Sequence, residues 1–573
     1  MIYWKNYQGH KLDIIGKKVQ IDKNIYTFDI ETTSYLILDG KQLSTDKYLE
    51  LDKKEQERCE FYSTMFIWQF SINDIVYYGR TWQELYDFFE KIEIFTYSKN
   101  VRKIVYVHNL SFEFQFLRNI FNFKNVLARK SHKVMKCQIE EFNFEFRCTL
   151  YMTNLKLEKI PNVYKLDVEK LTGNLDYFKI RHSDTHLTKK ELKYCENDCL
   201  VVYKYILEEL KQYETNKNIP LTSTGHVRRE LKEKLSKNWE YKSKVKFCYN
   251  IDGHVYNLLV SAFAGGYTHA NWIYTDEIIK DVSSYDFTSS YPYVMVTHKF
   301  PMTPFMKCKL KTKEQMSKNF AYLIKVRFYN IKCKYYNNFI SQNKCTRING
   351  GKYDNGRIIG AKEIEIILTD VDFNFITKAY KYDKYEILES YFSKYDYLPK
   401  EFIDFILEKY VKKTEYKDVA GKEVEYALEK AKFNALYGMS VTNNIKDEVI
   451  FDNETGWKEV PLKNDEILNK LKYERKKGFL SFAWGVWVTA HARNNLLENV
   501  IKLDESVIYC DTDSIKVINK NFDINVINEY NKKVEEKIKK ASEELEIPIE
   551  NFKPKDIKGR ERMLRSFWPW RRL

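Results

Sequence analysis

Asp511 and Asp513 are separated by one residue at the centre of Ser506-Val507-Ile508-Tyr509-Cys510-Asp511-Thr512-Asp513-Ser514-Ile515-Lys516-Val517-Ile518, where two β-prone runs flank a tight turn. Strand periodicity puts residues two apart on the same side, so the two carboxylates converge on one point, which like charges tolerate only around a cation. Hard oxygen ligands of this kind suit Mg²⁺, which keeps waters and takes its remaining ligands from substrate phosphates. A lone D-x-D also describes an Asp-rich surface turn, because Asp favours turns for local reasons. The apolar runs on both sides argue for a buried hairpin, and a third acid lies upstream. Asp286 closes the β-prone run Val282-Ser283-Ser284-Tyr285-Asp286 and is followed by Phe287-Thr288-Ser289-Ser290-Tyr291-Pro292. Between the two, Lys430-Ala431-Lys432-Phe433-Asn434-Ala435-Leu436-Tyr437-Gly438 suits a helix closed by its glycine.

Three further signals precede these. In Ile25-Tyr26-Thr27-Phe28-Asp29-Ile30-Glu31, strand alternation places Asp29 and Glu31 on one face. The buried-looking strand Ile104-Val105-Tyr106-Val107-His108 runs into Asn109-Leu110-Ser111-Phe112-Glu113. In Leu192-Lys193-Tyr194-Cys195-Glu196-Asn197-Asp198, Tyr194 and Asp198 are four apart and share a helix face. Each also has an ordinary reading: a surface strand, a capped helix start with Glu113 near the positive end of the dipole, and plain helix surface.

Taken in order, the segments around Asp286, Lys430 and Asp511 resemble motifs A (D-x-x-S-x-Y-P), B (K-x-x-x-N-x-x-Y-G) and C (Y-x-D-T-D) of family B DNA polymerases. D-x-E, N-x-x-x-E and Y-x-x-x-D resemble the three exonuclease motifs of proofreading polymerases. The resemblance implies phosphoryl transfer by positioning and electrostatics, with Asp286 and Asp513 bridging two Mg²⁺ ions, Asp511 in support and the Phe287 carbonyl as a further ligand; Mn²⁺ is an alternative metal. It implies that Lys430, with Lys412 or Lys413, offsets triphosphate charge. Asn434, Tyr437 and Gly438 would shape the pocket around the nascent pair, and Tyr291 would lie under the incoming sugar. At the N-terminal site, Asp29, Glu31 and Asp198 would hold two metals about 4 Å apart, activating water and stabilising the leaving 3′ oxygen. Glu113 stands where Asp is usual, and Tyr194 would orient the attacking water. DNA contacts are implied at Asn109, Phe112, Thr153, Phe263, Gly265, Gly266, Thr489 and Arg493, with Phe263 where Tyr is usual.

Two intervals, about 301–397 and 441–480, resemble the insertions of the protein-primed subgroup, the replicases of small phages and linear plasmids. There the first contacts the priming terminal protein and the second supports processive strand displacement. The expected partners are primer-template and single-stranded DNA, dNTPs and a terminal protein. The expected state is a monomer in the host cytoplasm, with no membrane.

The 573 residues exceed what one core usually serves. A polar stretch broken by Pro220 puts the boundary at about 225, giving 1–225 as an α/β, ribonuclease H-like 3′→5′ exonuclease domain and 226–573 as an α+β palm-and-fingers polymerase domain. The excess of 95 Lys+Arg over 80 Asp+Glu, a net charge of +15, favours a polyanionic partner. Ten scattered cysteines give no zinc spacing and read as thiols of a reducing compartment. No apolar run is long enough to span a bilayer. Val534, Ile538, Ala541 and Leu545 predict an amphipathic helix. Beyond it neither the K-x-Y motif nor the thumb of the relatives is legible, so the thumb reads as truncated. Met563 to Leu573 reads as an incidental tail, with Trp and Arg gripping nucleic acid as its functional alternative. That ending keeps two rivals open: an enzyme with exonuclease activity alone, and an inactive DNA-binding remnant.

Overall fold

The strands Tyr26–Leu38 and Glu60–Ile72 pair antiparallel along nearly their whole length in the computed structural model, which describes residues 1–168, 175–564 and 567–572. On its other side Tyr26–Leu38 pairs in parallel with Lys103–Val107, which is parallel in turn to Phe144–Cys148. The strands Val134–Ile139 and Phe123–Ala128 complete that edge. Alternation decides which face each side chain serves. Val105 and Val107 join the core under the helix Trp82–Thr96, with Phe88, Phe89 and Phe144, whereas Ile104 and Tyr106 join Val201, Val202 and Tyr205 of the helix Lys189–Leu210. A sheet covered on both faces needs near-continuous apolar strands, and Lys103–Val107 is buried throughout. The strand Phe144–Cys148 stops where Thr149–Thr153 turns into a helix.

Two compact units emerge, 1–226 together with 447–461, and 227–446 together with 462–573. The expected insertion at 441–480 is thereby divided. Its hairpin, Glu448–Asp452 with Gly456–Val460, packs Phe451 and Trp457 against Phe114, and Asn453 Oδ1 accepts the Phe123 N–H at 2.8 Å. Its helix Asn464–Lys477 stays with the second unit.

The second unit is built on an antiparallel sheet ordered Thr268–Ala270, Val507–Asp511, Ser514–Ile518, Val282–Phe287 and Phe567–Arg572. The tail, expected to be incidental, therefore supplies an edge strand whose backbone pairs with the strand of Asp286; the side chains expected to grip nucleic acid lie outside the described residues. The first half of the helix Phe482–Leu503, through Ala490, is buried on every side, and Trp484 and Trp487 are wholly enclosed. A second, eight-stranded sheet occupies 300–396. The helices Lys400–Glu415 and Glu423–Ser440 pack on each other, and the latter runs through Gly438 rather than ending there. In Ile524–Leu545, Val534, Ile538 and Ala541 are buried, as their spacing predicts.

The second sheet is pinned to the buried helix through Asp370, at the start of the helix Asp370–Ala379. Its carboxyl accepts the Trp487 indole N–H at 3.0 Å, the Tyr395 hydroxyl at 2.8 Å and the Tyr322 N–H at 3.1 Å. Burial outweighs these donors and pushes the carboxyl up to about 6. A raised carboxyl stabilises the fold fully below its unfolded value and loses that contribution as pH rises through 6, a change of roughly 3 kcal/mol. Asp370→Asn should flatten this fall between pH 4 and 6, as measured by urea denaturation of both proteins across that range. No helix among the described residues is long and apolar enough to cross a membrane.

Candidate active sites

In the first unit, Asp29 and Glu31 leave the same face of Tyr26–Leu38, as alternation predicts, and meet Asp198 from the helix Lys189–Leu210. One carboxylate oxygen from each lies within 4.8 Å of the others. Among the described residues this is the one acidic cluster of that closeness. A register shift after Glu31 re-aims the strand just past the site, a common role of bulges. Gln69, fully buried on the neighbouring strand opposite Asp29, donates its amide to Asp29 Oδ2 at 2.7 Å. The helix is anchored by a capping box between Thr188 and Glu191, and Arg181 pairs with Glu191 at 2.7 Å.

Glu113 stays outside the three-carboxylate cluster, although it is buried beside it. Burial, and then the charges of Asp29 and Glu31, hold its carboxyl well above the ordinary range. Its Oε2 has no hydrogen-bond partner among the described residues. A buried acid in this state is satisfied by a proton or a cation, so the residues present fit a divalent ion. Tyr194 lies one turn from Asp198, and its hydroxyl meets that of Tyr177 at 2.9 Å. Sequence reasoning missed Gln69 and Tyr177, since neither belongs to a spaced motif. Asn109, in a left-handed conformation, and Phe112 are exposed at the start of the helix Leu110–Leu117. Thr153 differs from expectation. It is buried, and its hydroxyl donates to the Thr149 carbonyl at 3.1 Å, as a small β-hydroxyl does when a helix offers it the carbonyl four residues back.

In the second unit, Asp286 faces Ser514 across two paired strands, and the Phe287 N–H donates to the Asp513 carbonyl at 2.8 Å. Asp286 and Asp513 therefore sit at the same end of adjacent strands. Alternation predicts that Asp511 converges with Asp513, but Thr512 between them is left-handed (φ 55°), so strand periodicity stops there. Asp511 instead accepts the Thr268 hydroxyl at 3.1 Å, and the three aspartates form no cluster as tight as that of the first unit. A β-branched residue in this conformation is strained, and its surroundings hold it there. The Thr512 N–H donates to the Tyr267 carbonyl at 2.8 Å, and a Cβ built on Gly266 would lie 2.7 Å from the Thr512 side chain. Gly266→Ala should therefore displace the turn and lower nucleotide incorporation about a hundredfold, the cost of misplacing a reacting group by about 1 Å. A thermal melt unchanged within a few degrees, recorded beside the rate, separates this from unfolding.

Near Asp513 the rings of Tyr291 and Tyr437 stack, 3.7 Å apart and 9° from parallel. Of the two candidate lysines, Lys413 points inward. Its ammonium donates to Ser289 Oγ at 3.2 Å, and burial with the nearby Lys430 charge lowers it to about 7. Lys412 turns away to Glu408 at 3.1 Å. Lys430 and Asn434 are exposed one turn apart, and Gly438 is half-buried within the same helix.

Two of the expected DNA contacts are internal. Thr489 is fully buried and donates to the Val486 carbonyl at 2.8 Å, because the turns around it, Phe482 to Ala490, are buried on every side. Arg493 is bidentate to Asp372, both oxygens at 2.8 Å, and donates to the Ala264 and Gly265 carbonyls. It thus fixes the Gly265-Gly266 turn from behind. Gly265 is exposed, and the half-buried Phe263 carries the Lys344 ammonium over its ring.

Carboxylates gathered in the first unit, and Asp286 and Asp513 at one end of adjacent strands in the second, are groupings of the kind that serve phosphoryl transfer. The organellar and viral type B DNA polymerases match residues 169–532, and the chain belongs to this family; it is a DNA-directed DNA polymerase. It is 25% identical over 446 residues to the DNA polymerase of Bacillus phage B103, covering 74% of this chain and 73% of that protein. To the DNA polymerase of Bacillus phage phi29 it is 23% identical over 451 residues, covering 74% and 72%. A structure of phi29 DNA polymerase complexed with primer-template DNA aligns with a TM-score of 0.63 at 19% identity, over 88% of this chain and 82% of that one. The shared fold is that of a polymerase with exonuclease and palm-and-fingers domains.

Proposed function

We propose that this polymerase is protein-primed, displaces the strand ahead of it and proofreads with a 3′→5′ exonuclease, replicating a viral or plasmid genome in the host cytoplasm. The placement of Asp286 and Asp513 at one end of adjacent strands carries the polymerase site. These two residues would hold Mg²⁺, with the Phe287 carbonyl beside them and Asp511 in support. The ions supply charge neutralisation at the transferring phosphate when bound. Lys413 and Lys430 hold the triphosphate, while Asn434 and Gly438 line the nascent pair. Lys413, depressed by burial, regains its full charge beside a phosphate.

The clustering of Asp29, Glu31 and Asp198 supports a separate hydrolytic site in which Tyr194, held by Tyr177, orients water. Exposed Asn109 and Phe112 would receive the single strand. The deciding experiment measures Mg²⁺-dependent extension and degradation of a primed oligonucleotide separately, with and without a terminal protein. Absence of extension under both conditions would leave the exonuclease-only reading.

Tyr291, backed by Tyr437, would leave no room for a 2′-hydroxyl. Tyr291→Val should reduce discrimination against ribonucleotides about a hundredfold in competitive single-nucleotide incorporation. Unchanged discrimination with a lower melting temperature would make Tyr291 a packing residue only.

A further inference from the structure

Arg357 opens the strand Arg357–Thr369 of the eight-stranded sheet and is half-buried. Among the described residues no carboxylate pairs with it, whereas the nearby Arg493 is bidentate to Asp372. Burial, and to a lesser degree the Arg493 charge, hold its guanidinium below the ordinary range. A guanidinium taken from water without a counter-ion costs free energy, so a tie serving the fold alone is better made by a neutral donor. What arginine adds is a planar fork whose donors point in fixed directions. One tine, Nη1, donates to the Phe339 carbonyl at 2.9 Å, and the other, Nη2, to the Thr268 carbonyl at 3.0 Å. The fork rests on the Tyr267 ring, 4.3 Å from its centre.

Thr268 is where this tie meets the aspartates. Its strand, Thr268–Ala270, pairs with Val507–Asp511 and sets Thr268 opposite Asp511. The Thr268 hydroxyl donates to Asp511 Oδ1 at 3.1 Å, and the Thr512 hydroxyl donates to the same oxygen at 3.1 Å. Asp511 Oδ2 carries no hydrogen bond among the described residues. The residues on either side of Thr268 are fixed from the same part of the chain as Arg357. The Tyr267 hydroxyl donates to the Asn338 carbonyl at 2.9 Å, and His269 Nε2 meets Asp354 at 3.0 Å, with both side chains buried. Residues 267 to 269 are thus clamped from 338–357, while they themselves hold Asp511 and Thr512.

We propose that Arg357 is a positioning residue of the polymerase site: through the Thr268 carbonyl it fixes the hydroxyl that holds Asp511 Oδ1, and so sets how that carboxylate is presented to a divalent ion. The proposal rests on the reading of Asp511 as a support of that ion. It makes the eight-stranded sheet part of the frame of the metal site.

The test follows single-nucleotide incorporation by the full chain against Mg²⁺ concentration. Thr268→Val keeps the shape of the side chain and removes its hydroxyl. It should raise the Mg²⁺ concentration for half-maximal rate about fivefold, the contribution of one hydrogen bond, and Thr268→Ser should restore it. Arg357→Met should raise the midpoint about fivefold as well, and Arg357→Lys, which keeps the charge and loses the fork, should also raise it. Combined with Thr268→Val, Arg357→Met should leave the shift at about fivefold, because both act through one hydroxyl; effects that multiply to about twenty-fivefold would overturn the relay. Degradation of single-stranded DNA should be unchanged throughout, since the clustered acids belong to the first unit. A lower melting temperature or maximal rate with an unchanged Mg²⁺ midpoint would make Arg357 a tie of the fold alone. A wild-type midpoint in Arg357→Lys would make its charge, and not its fork, the active feature, which also overturns the relay. Asp511→Ala is read in parallel and should shift the midpoint at least as far as Thr268→Val. A wild-type midpoint there would remove the reading of Asp511 and the relay with it. A shifted Asp511→Ala beside unshifted Thr268→Val and Arg357→Met would sink the relay alone.

Discussion

Asp513→Ala is expected to lower nucleotide incorporation at least about a thousandfold while leaving degradation of single-stranded DNA within twofold of wild type. The magnitude follows from removing a carboxylate that would hold the metal against the transferring phosphate, several kcal/mol of transition-state charge stabilisation. The selectivity follows from the fold: Asp513 belongs to the sheet of the second unit, and the clustered acids belong to the first. Asp286→Ala should behave alike, since Asp286 lies on the strand whose Phe287 N–H bonds Asp513. Asp511→Ala should cost less, because Asp511 is turned to Thr268 and its loss leaves the other pair in place. Single-turnover incorporation with saturating dNTP measures all three, and an Asp513→Ala enzyme at wild-type rate would refute the assignment.

The converse experiment has a comparably large effect. Asp29→Ala or Asp198→Ala should stop 3′ degradation, again by about a thousandfold or more, and raise misincorporation while the rate of correct incorporation holds. Gln69→Leu, which removes the Gln69 hydrogen bond to Asp29 Oδ2 and keeps the carboxylate, should give an intermediate loss. Glu113 discriminates between readings of the site. If it completes the metal shell, Glu113→Ala approaches the Asp29→Ala loss; if the three clustered acids suffice, Glu113→Ala keeps most of the rate. Burial without a partner for its Oε2 favours the first outcome. Degradation of a 5′-labelled single strand, sampled against time, reads each variant.

Much of this arrangement is legible in the order and spacing of the residues. Asp29 and Glu31 two apart on a strand, Tyr194 and Asp198 four apart on a helix, and Asp286 closing a β run are statements of local period, and local period is set by backbone sterics that the sequence carries within a few residues. For the same reason the helix of Val534, Ile538 and Ala541 is readable from its spacing. The exonuclease and palm-and-fingers fold follows from the order of such segments. The failures lie where a residue's fate depends on what packs against it from far along the chain. Thr489 and Arg493 carry polar groups that suit a DNA backbone, yet one is sealed among fully buried turns of its helix and the other is occupied by Asp372 and two carbonyls more than 220 residues away. Thr512 breaks the alternation of Asp511 and Asp513 because Gly266 and Tyr267, distant in sequence, hold it left-handed. Lys412 and Lys413 are equivalent in sequence, and only the position of Glu408 and Ser289 around their helix separates them. The sequence by itself thus determined which elements form and which acids each one carries. Tertiary structure decided which of those side chains are free to meet a substrate, because desolvation and long-range hydrogen bonding are properties of the packed chain and not of its neighbouring residues.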